Sequence, residues 1–150
     1  SGGMLDEARI KVEGLKHVPP GVKVDFVKAD ATSDLVEMFG KDSFDTVVDT
    51  FSLCVMGNEG AKNCLKQMRE VVKKGEDGGR ILLIENSRSS SPLLGWYQDV
   101  TAETAAKAGG KGCLYNQDVT SMIRSTGRLH IESEVAFSAG LFRSFIVRKV

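Results

Sequence analysis

The chain has 150 residues, with 20 Lys and Arg matched by 20 Asp and Glu, 41% hydrophobic residues and 27% charged. This is the composition of one globular domain able to bury a core. A formal net charge of zero gives no electrostatic footprint for nucleic acid or an anionic membrane, and no run approaches the roughly 18 to 20 apolar residues of a membrane span. The sequence therefore reads as soluble. Cys54, Cys64 and Cys113 have no CxxC spacing and no nearby His, which fits reduced thiols in an intracellular compartment and no metal site.

Met4 to Lys16 carries apolar residues at mostly helical intervals and predicts a helix that breaks before Pro19-Pro20-Gly21. Val22 to Val27 alternates apolar and polar residues as a short strand does, and runs into Asp30-Ala31. Ser33 is placed to cap a helix through about Phe39, with Gly40 ending it. Phe44 to Val55 is rich in β-branched residues and reads as a buried central strand followed by a turn. From Glu59 to Lys74, Ala61, Leu65, Met68, Val71 and Val72 recur at spacings of three and four, the pattern of an amphipathic helix.

Arg80 to Glu85 is a continuously apolar strand suited to a sheet interior. A helix follows from about Leu93 to Ala108, in which Trp96 and Tyr97 either roof a cleft or, the favoured reading, pack in the core, and another from about Asn116 to Ser125. His130 to Phe137 and Phe142 to Val150 read as strands joined by the hairpin-like Ser138-Ala139-Gly140. Strands alternating with helices predict an open α/β sheet, mostly parallel, with one antiparallel strand at its edge.

In such sheets ligands bind outside the carboxyl ends of the strands. That rule makes candidates of Asp30-Ala31, of Thr50-Phe51-Ser52-Leu53-Cys54 and of Glu85-Asn86-Ser87-Arg88. Each has two readings. Asp30 can accept from an exocyclic amine beside the small Ala31, or simply open a turn. Thr50 to Cys54 can line a cleft or continue into the core. Asp45 and Asp49 share a strand face but lack the His or third carboxylate that a metal would need. A carboxylate at Glu85, ending an apolar strand, is costly unless paired. It binds substrate or neighbouring backbone amides. Arg88 lies among serines and reads as a ligand contact or a solvated loop.

The stretch from Phe44 to Cys54, the helix around Leu65 to Val71 and Gly79 to Glu85 together resemble the second half of a class I S-adenosylmethionine-dependent methyltransferase. Ser1-Gly2-Gly3-Met4-Leu5 with Ala8-Arg9 resembles the segment after the second strand of UbiE-like members. Phe44 to Cys54, Ser87-Arg88-Ser89 and Gly112 to Asp118 in combination look most like a mitochondrial methyltransferase-like branch. The resemblance implies a Rossmann-like methyltransferase sheet, with residues 1–150 as the carboxyl-terminal portion of a single domain, in an intracellular, mitochondrial location. It implies S-adenosylmethionine as cofactor and a small-molecule or macromolecular methyl acceptor as partner. Asp30 with Ala31 matches the contact to the adenine amine, and Met4 the residue packed near the adenine. Thr50, Phe51 and Ser52 match the loop along the methionine part. Leu53, Glu85 and Arg88 are the candidates on the acceptor side, and no residue is named as a catalytic base.

Members of this class begin with a strand ending in a glycine-rich turn and a second ending in an acidic residue, and both are absent from these 150 residues. In the family sheet they lie between the strand at Val22 and the strand at Phe44. Without them the sheet has unpaired backbone at its centre. Three explanations stand: a longer chain, strands supplied by a partner or swapped protomer, or a rearranged sheet. Asn86 stands where the branch has His, and Lys74 to Gly79 lengthens a tighter turn. The alternative to a methyl transferase is a non-catalytic, methyltransferase-like structural or assembly subunit completed by a partner.

Overall fold

The computed structural model describes residues 2–14, 19, 21–108 and 112–150, and the chain forms two units, Ser1–Asp30 and Ala31–Val150. In the first, helix α1 (Gly2–Glu13) buries none of its side chains. The expected helix runs to Lys16, but Leu15 and Lys16 lie outside the described residues. Arg9 bonds Asp6 at 2.7 Å and lies 5.5 Å from the centre of the Phe26 ring. The strand expected at Val22 to Val27 does not form. Alternation supplies a face, but a strand also needs a neighbour for its N–H and C=O groups. None of the four described strands pairs with this segment.

The second unit holds helix α2 (Leu35–Phe39), strand β1 (Thr46–Thr50), a 3₁₀ turn (Leu53–Val55), helix α3 (Gly57–Val71), strand β2 (Arg80–Asn86), helices α4 (Pro92–Ala108) and α5 (Val119–Thr126), and strands β3 (Leu129–Phe137) and β4 (Phe142–Lys149). The sheet order is β1-β2-β4-β3. β1 and β2 are parallel, and β4 is antiparallel to both β2 and β3. Three strands therefore point one way and β4 the other. The antiparallel strand is not at the edge as expected but inside the sheet, because the tight hairpin at Ser138, Ala139 and Gly140, all with positive φ, turns β4 back between β3 and β2. β1, expected to be central, is an edge among the described strands, and Val48 is 65% exposed.

α3 forms because its apolar residues fall on one stripe. Ala61, Cys64, Leu65 and Met68 are buried against Ile81 and Leu83 of β2, Phe145 and Val147 of β4, and Val119, Met122 and Ile123 of α5. Each large aliphatic side chain so buried contributes about 1.5–3 kcal/mol. α3 stops at Val71 and not near Lys74, because Val72 becomes extended and bridges Phe44, whose carbonyl accepts from Lys73 N at 2.9 Å. Two glycines then make the turn into β2. Gly78 is left-handed at φ +84°, and a Cβ on Gly79 would sit 2.0 Å from the Lys73 carbonyl oxygen. α5 starts after Asp118, later than the Asn116 expected, since the Asp118 carboxylate accepts from Ser121 N at 2.9 Å and so caps the helix. The cap expected from Ser33 is not made: α2 begins after Asp34, and the Ser33 hydroxyl donates to the Asp34 side chain.

Candidate functional site at the carboxyl ends of β1 and β2

β1 ends in a turn whose shape is set by β2. The ladder continues one step past Thr50, with Phe51 N donating to Ile84 O at 2.9 Å. The chain then reverses through Phe51 in the left-handed region, φ +55°, an unfavourable conformation for a residue with a bulky side chain. What holds it is Glu85. Its Oε1 accepts the backbone N–H of Ser52 at 3.0 Å and of Leu53 at 3.4 Å. Glu85 is wholly buried. Sequence reasoning left two roles open for it, an acceptor contact and a partner for neighbouring backbone amides, and in the structure its Oε1 takes two such amides. Leu53 is likewise wholly buried, in the core.

Asp49 and Glu85 point to the same face of the sheet, since Asp49 pairs with Leu83 in the β1/β2 register and Glu85 lies two residues on. The Ser52 hydroxyl donates to Asp49. Asp49 Oδ2 and Glu85 Oε2 are buried with no donor from any other group among the described residues. Burial first, and then the Asp49 charge, push the Glu85 carboxyl up to about 7, against the pull of the Ser52 and Leu53 amides. A proton on Glu85 gives the pair the hydrogen bond that two carboxylates would lack.

Above this pair Thr50 and Phe51 are exposed and Ser52 is half-buried. The Phe51 ring meets Phe142 edge to face at 5.7 Å, and Phe142 lies 5.6 Å from Phe137. Beside Phe142 opens a cavity of about 410 Å³, walled by Leu94, Tyr97, Cys113 and Tyr115 with Asn86 at its polar end. Tyr97 and Trp96, expected in the core, are exposed at 55% and 61%. α4 instead turns Gln98 inward. This buried amide, which sequence reasoning missed, donates to Ser87 O at 3.1 Å and Tyr115 O at 3.0 Å and accepts from Ser89 N at 2.7 Å. A lone Gln on a helix carries no sequence signal for such a role.

Arg88 lies apart from this cavity. Its guanidinium takes Asp99 of α4 through Nε and Nη2, the latter at 2.9 Å. Arg88 and then Asn116 hold the Asp99 carboxyl below its usual range. Arg88 also lines a separate polar cavity with Ser87, Arg124 and Arg143. A larger cavity, about 780 Å³, is at the opposite end of the sheet among Lys74, Arg128, His130 and Arg148, where strands β2 and β3 begin. The carboxyl ends carry the site in this architecture. Met4 and Asp30 belong to the first unit, where both are exposed, and Ala31 opens the second. Among the described residues no group of three or more His, Cys, Asp or Glu is placed to hold a metal ion, and no helix is long and apolar enough to cross a membrane.

Residues 1–101 match the ubiE/COQ5 methyltransferase family. Among solved structures, an O-methyltransferase family protein from Burkholderia thailandensis is similar at a TM-score of 0.65 and 16% identity over 96% of this chain and 40% of its own. A candidate methyltransferase from Bacillus halodurans gives 0.67 and 16% over 99% of this chain and 80% of its own. LepI, solved in complex with S-adenosylmethionine, gives 0.55 and 10% over 99% of this chain and 40% of its own. These likenesses show a Rossmann-like methyltransferase fold. The chain spans about two fifths of the Burkholderia protein and of LepI.

Proposed function

The chain belongs to the ubiE/COQ5 methyltransferase family, and from that membership we propose that it forms the carboxyl-terminal part of a catalytic domain that transfers a methyl group from S-adenosylmethionine to an acceptor. The match over residues 1–101 carries this reading. S-adenosylmethionine supplies an electrophilic methyl group on a sulfonium cation. The residues at the end of β1 suit such a group. Phe51 presents an exposed ring, and aromatic faces attract cations. The turn beneath that ring is held in advance by the Glu85 carboxyl, so little ordering is left to ligand binding. Thr50, Phe51 and Ser52 are the proposed cofactor contacts, and the cavity beside Phe142 the proposed acceptor side. Catalysis then consists mainly of holding the acceptor in line.

The roles of Met4, Asp30 and Ala31 towards the adenine rest on the resemblance of the sequence and are tested one substitution at a time. The same resemblance proposes a mitochondrial location, which fractionation tests. The direct test of the reaction class is a calorimetric titration of the protein with S-adenosylhomocysteine. Saturable one-to-one binding is expected, and a folded protein that binds neither this product nor S-adenosylmethionine would overturn the reading.

One observation favours a second reading, a non-catalytic subunit completed by a partner chain or swapped protomer. The outer edge of β1 is unpaired among the described residues, and Val48 beside it is exposed with Ile84 and Ile146 on the same face. Such an edge accepts an added strand. A folded protein that is silent in the titration but associates with a second chain in sedimentation would favour this alternative.

A further inference from the structure

Two cysteines distant in sequence are brought together behind the candidate site. The 3₁₀ turn that contains Cys54 is stitched to the segment before Tyr115 by Leu114 N, which donates to Cys54 O at 2.8 Å. Asn86, the last residue of β2, reaches both side chains: its Nδ2 lies 3.5 Å from Cys54 Sγ and 3.5 Å from Cys113 Sγ. The Cys54 thiol donates to Phe51 O at 3.6 Å. Cys54 is 1% exposed, whereas Cys113 is half-buried and lines the cavity beside Phe142. Cys64 is elsewhere, wholly buried on the core face of α3. One thiol is thus reachable, and the other is buried against the same Asn86 amide.

We propose that Cys54 and Cys113 form a dithiol site that low-molecular-weight disulfides oxidise to an intramolecular disulfide, tying the cavity wall at Cys113 to the turn that follows β1. The site is independent of the methyl-transfer reading. In the first step Cys113, as thiolate, attacks a sulfur of the small disulfide. A sulfur–sulfur bond breaks, a mixed disulfide forms at Cys113, and one small thiolate leaves and takes up the proton that Cys113 lost. Cys54 then attacks Cys113 Sγ and expels the second small thiol, which carries away the Cys54 proton. Two cysteine thiols are oxidised by two electrons, and one small disulfide is reduced to two thiols. Burial, followed by the neighbouring Cys54, pushes the Cys113 thiol up to about 12, so only a small thiolate fraction starts the sequence and the rate rises with pH.

The test is incubation of the native protein with glutathione disulfide at pH 7 and pH 9, followed by acid quench and peptide mapping without reduction. The expected product is a peptide pair linked through Cys54 and Cys113, formed faster at pH 9, with Cys64 unmodified. Cys54→Ser is expected to stop at glutathione on Cys113, and Cys64→Ser to cross-link as the native protein does. Glutathione retained on Cys113 of the native protein without a link would overturn the proposal. So would a link that includes Cys64, or an unmodified Cys113 at pH 9. If Cys54→Ser fails to fold, the map of the native protein alone decides.

Discussion

Asp49 and Glu85, on neighbouring parallel strands, hold the same residue from two sides: Ser52 donates its hydroxyl to Asp49 and its backbone N–H to Glu85. The turn that carries Phe51 is therefore built by a pair of acidic side chains, one of them wholly buried. Such an arrangement persists only if the backbone donors and a shared proton offset the desolvation of the carboxyls.

Glu85→Gln keeps an acceptor oxygen for Ser52 N and Leu53 N and brings an amide that can donate to Asp49. We expect its stability in urea to lie within about 1 kcal/mol of the native protein, the scale of one hydrogen bond. Glu85→Ala removes the acceptor from both amides and should cost about 2–4 kcal/mol, since each buried unsatisfied donor costs roughly 1–3 kcal/mol. Equal losses for the two variants would show that the carboxyl does not hold the turn.

The same pair sets a pH dependence. Glu85 titrates near 7 in the folded protein against an ordinary value of 4.5, so the folded state binds its proton more tightly than the unfolded state does. The stability it contributes is complete below about 4.5 and is lost as pH rises towards 7. In Glu85→Gln that titration is gone. The stability of the native protein minus that of the variant should therefore fall between pH 4.5 and 7. A difference that stays flat, measured by urea denaturation across this range, would show that the proton is not held there.

How much of this was legible follows from the range of each interaction. α3 and β2 could be read because periodicity and a continuous apolar run are local signals, and burial of Leu65, Met68, Ile81 and Leu83 follows from them. Val22 to Val27 has the alternation of a strand, but pairing depends on a neighbour, which alternation cannot supply. The sequence marks Glu85 as a carboxylate that needs a partner. It does not say that the partner is the turn after β1, because that depends on the β1/β2 register. The meeting of Cys54, Asn86 and Cys113 is equally a product of topology, as is the buried role of Gln98.

Phe51 gives a prediction that separates cofactor from product. A cation–π contribution of about 1 kcal/mol applies to the sulfonium of S-adenosylmethionine and not to the uncharged sulfur of S-adenosylhomocysteine. Phe51→Ala should therefore weaken the first by roughly five- to tenfold in calorimetry, with a smaller change for the second. Equal losses for both ligands would remove the ring from the neighbourhood of the sulfonium.

Gln98 tests whether α4 is fastened to the site or merely lies beside it. Its amide satisfies Ser89 N, Ser87 O and Tyr115 O at once, and it is 1% exposed. Gln98→Leu keeps the bulk and removes every one of these bonds, leaving one donor and two acceptors of the backbone without that partner. We expect a loss of about 2–4 kcal/mol, since unsatisfied buried groups cost roughly 1–3 kcal/mol each and water reaches some of them. Because these bonds run to the segments at Ser87 and Tyr115, which flank the cavity beside Phe142, the loss should appear first as faster amide hydrogen exchange there, with α3 still protected. Uniform loss of protection across the whole unit would mean that Gln98 supports global packing and not the cavity wall.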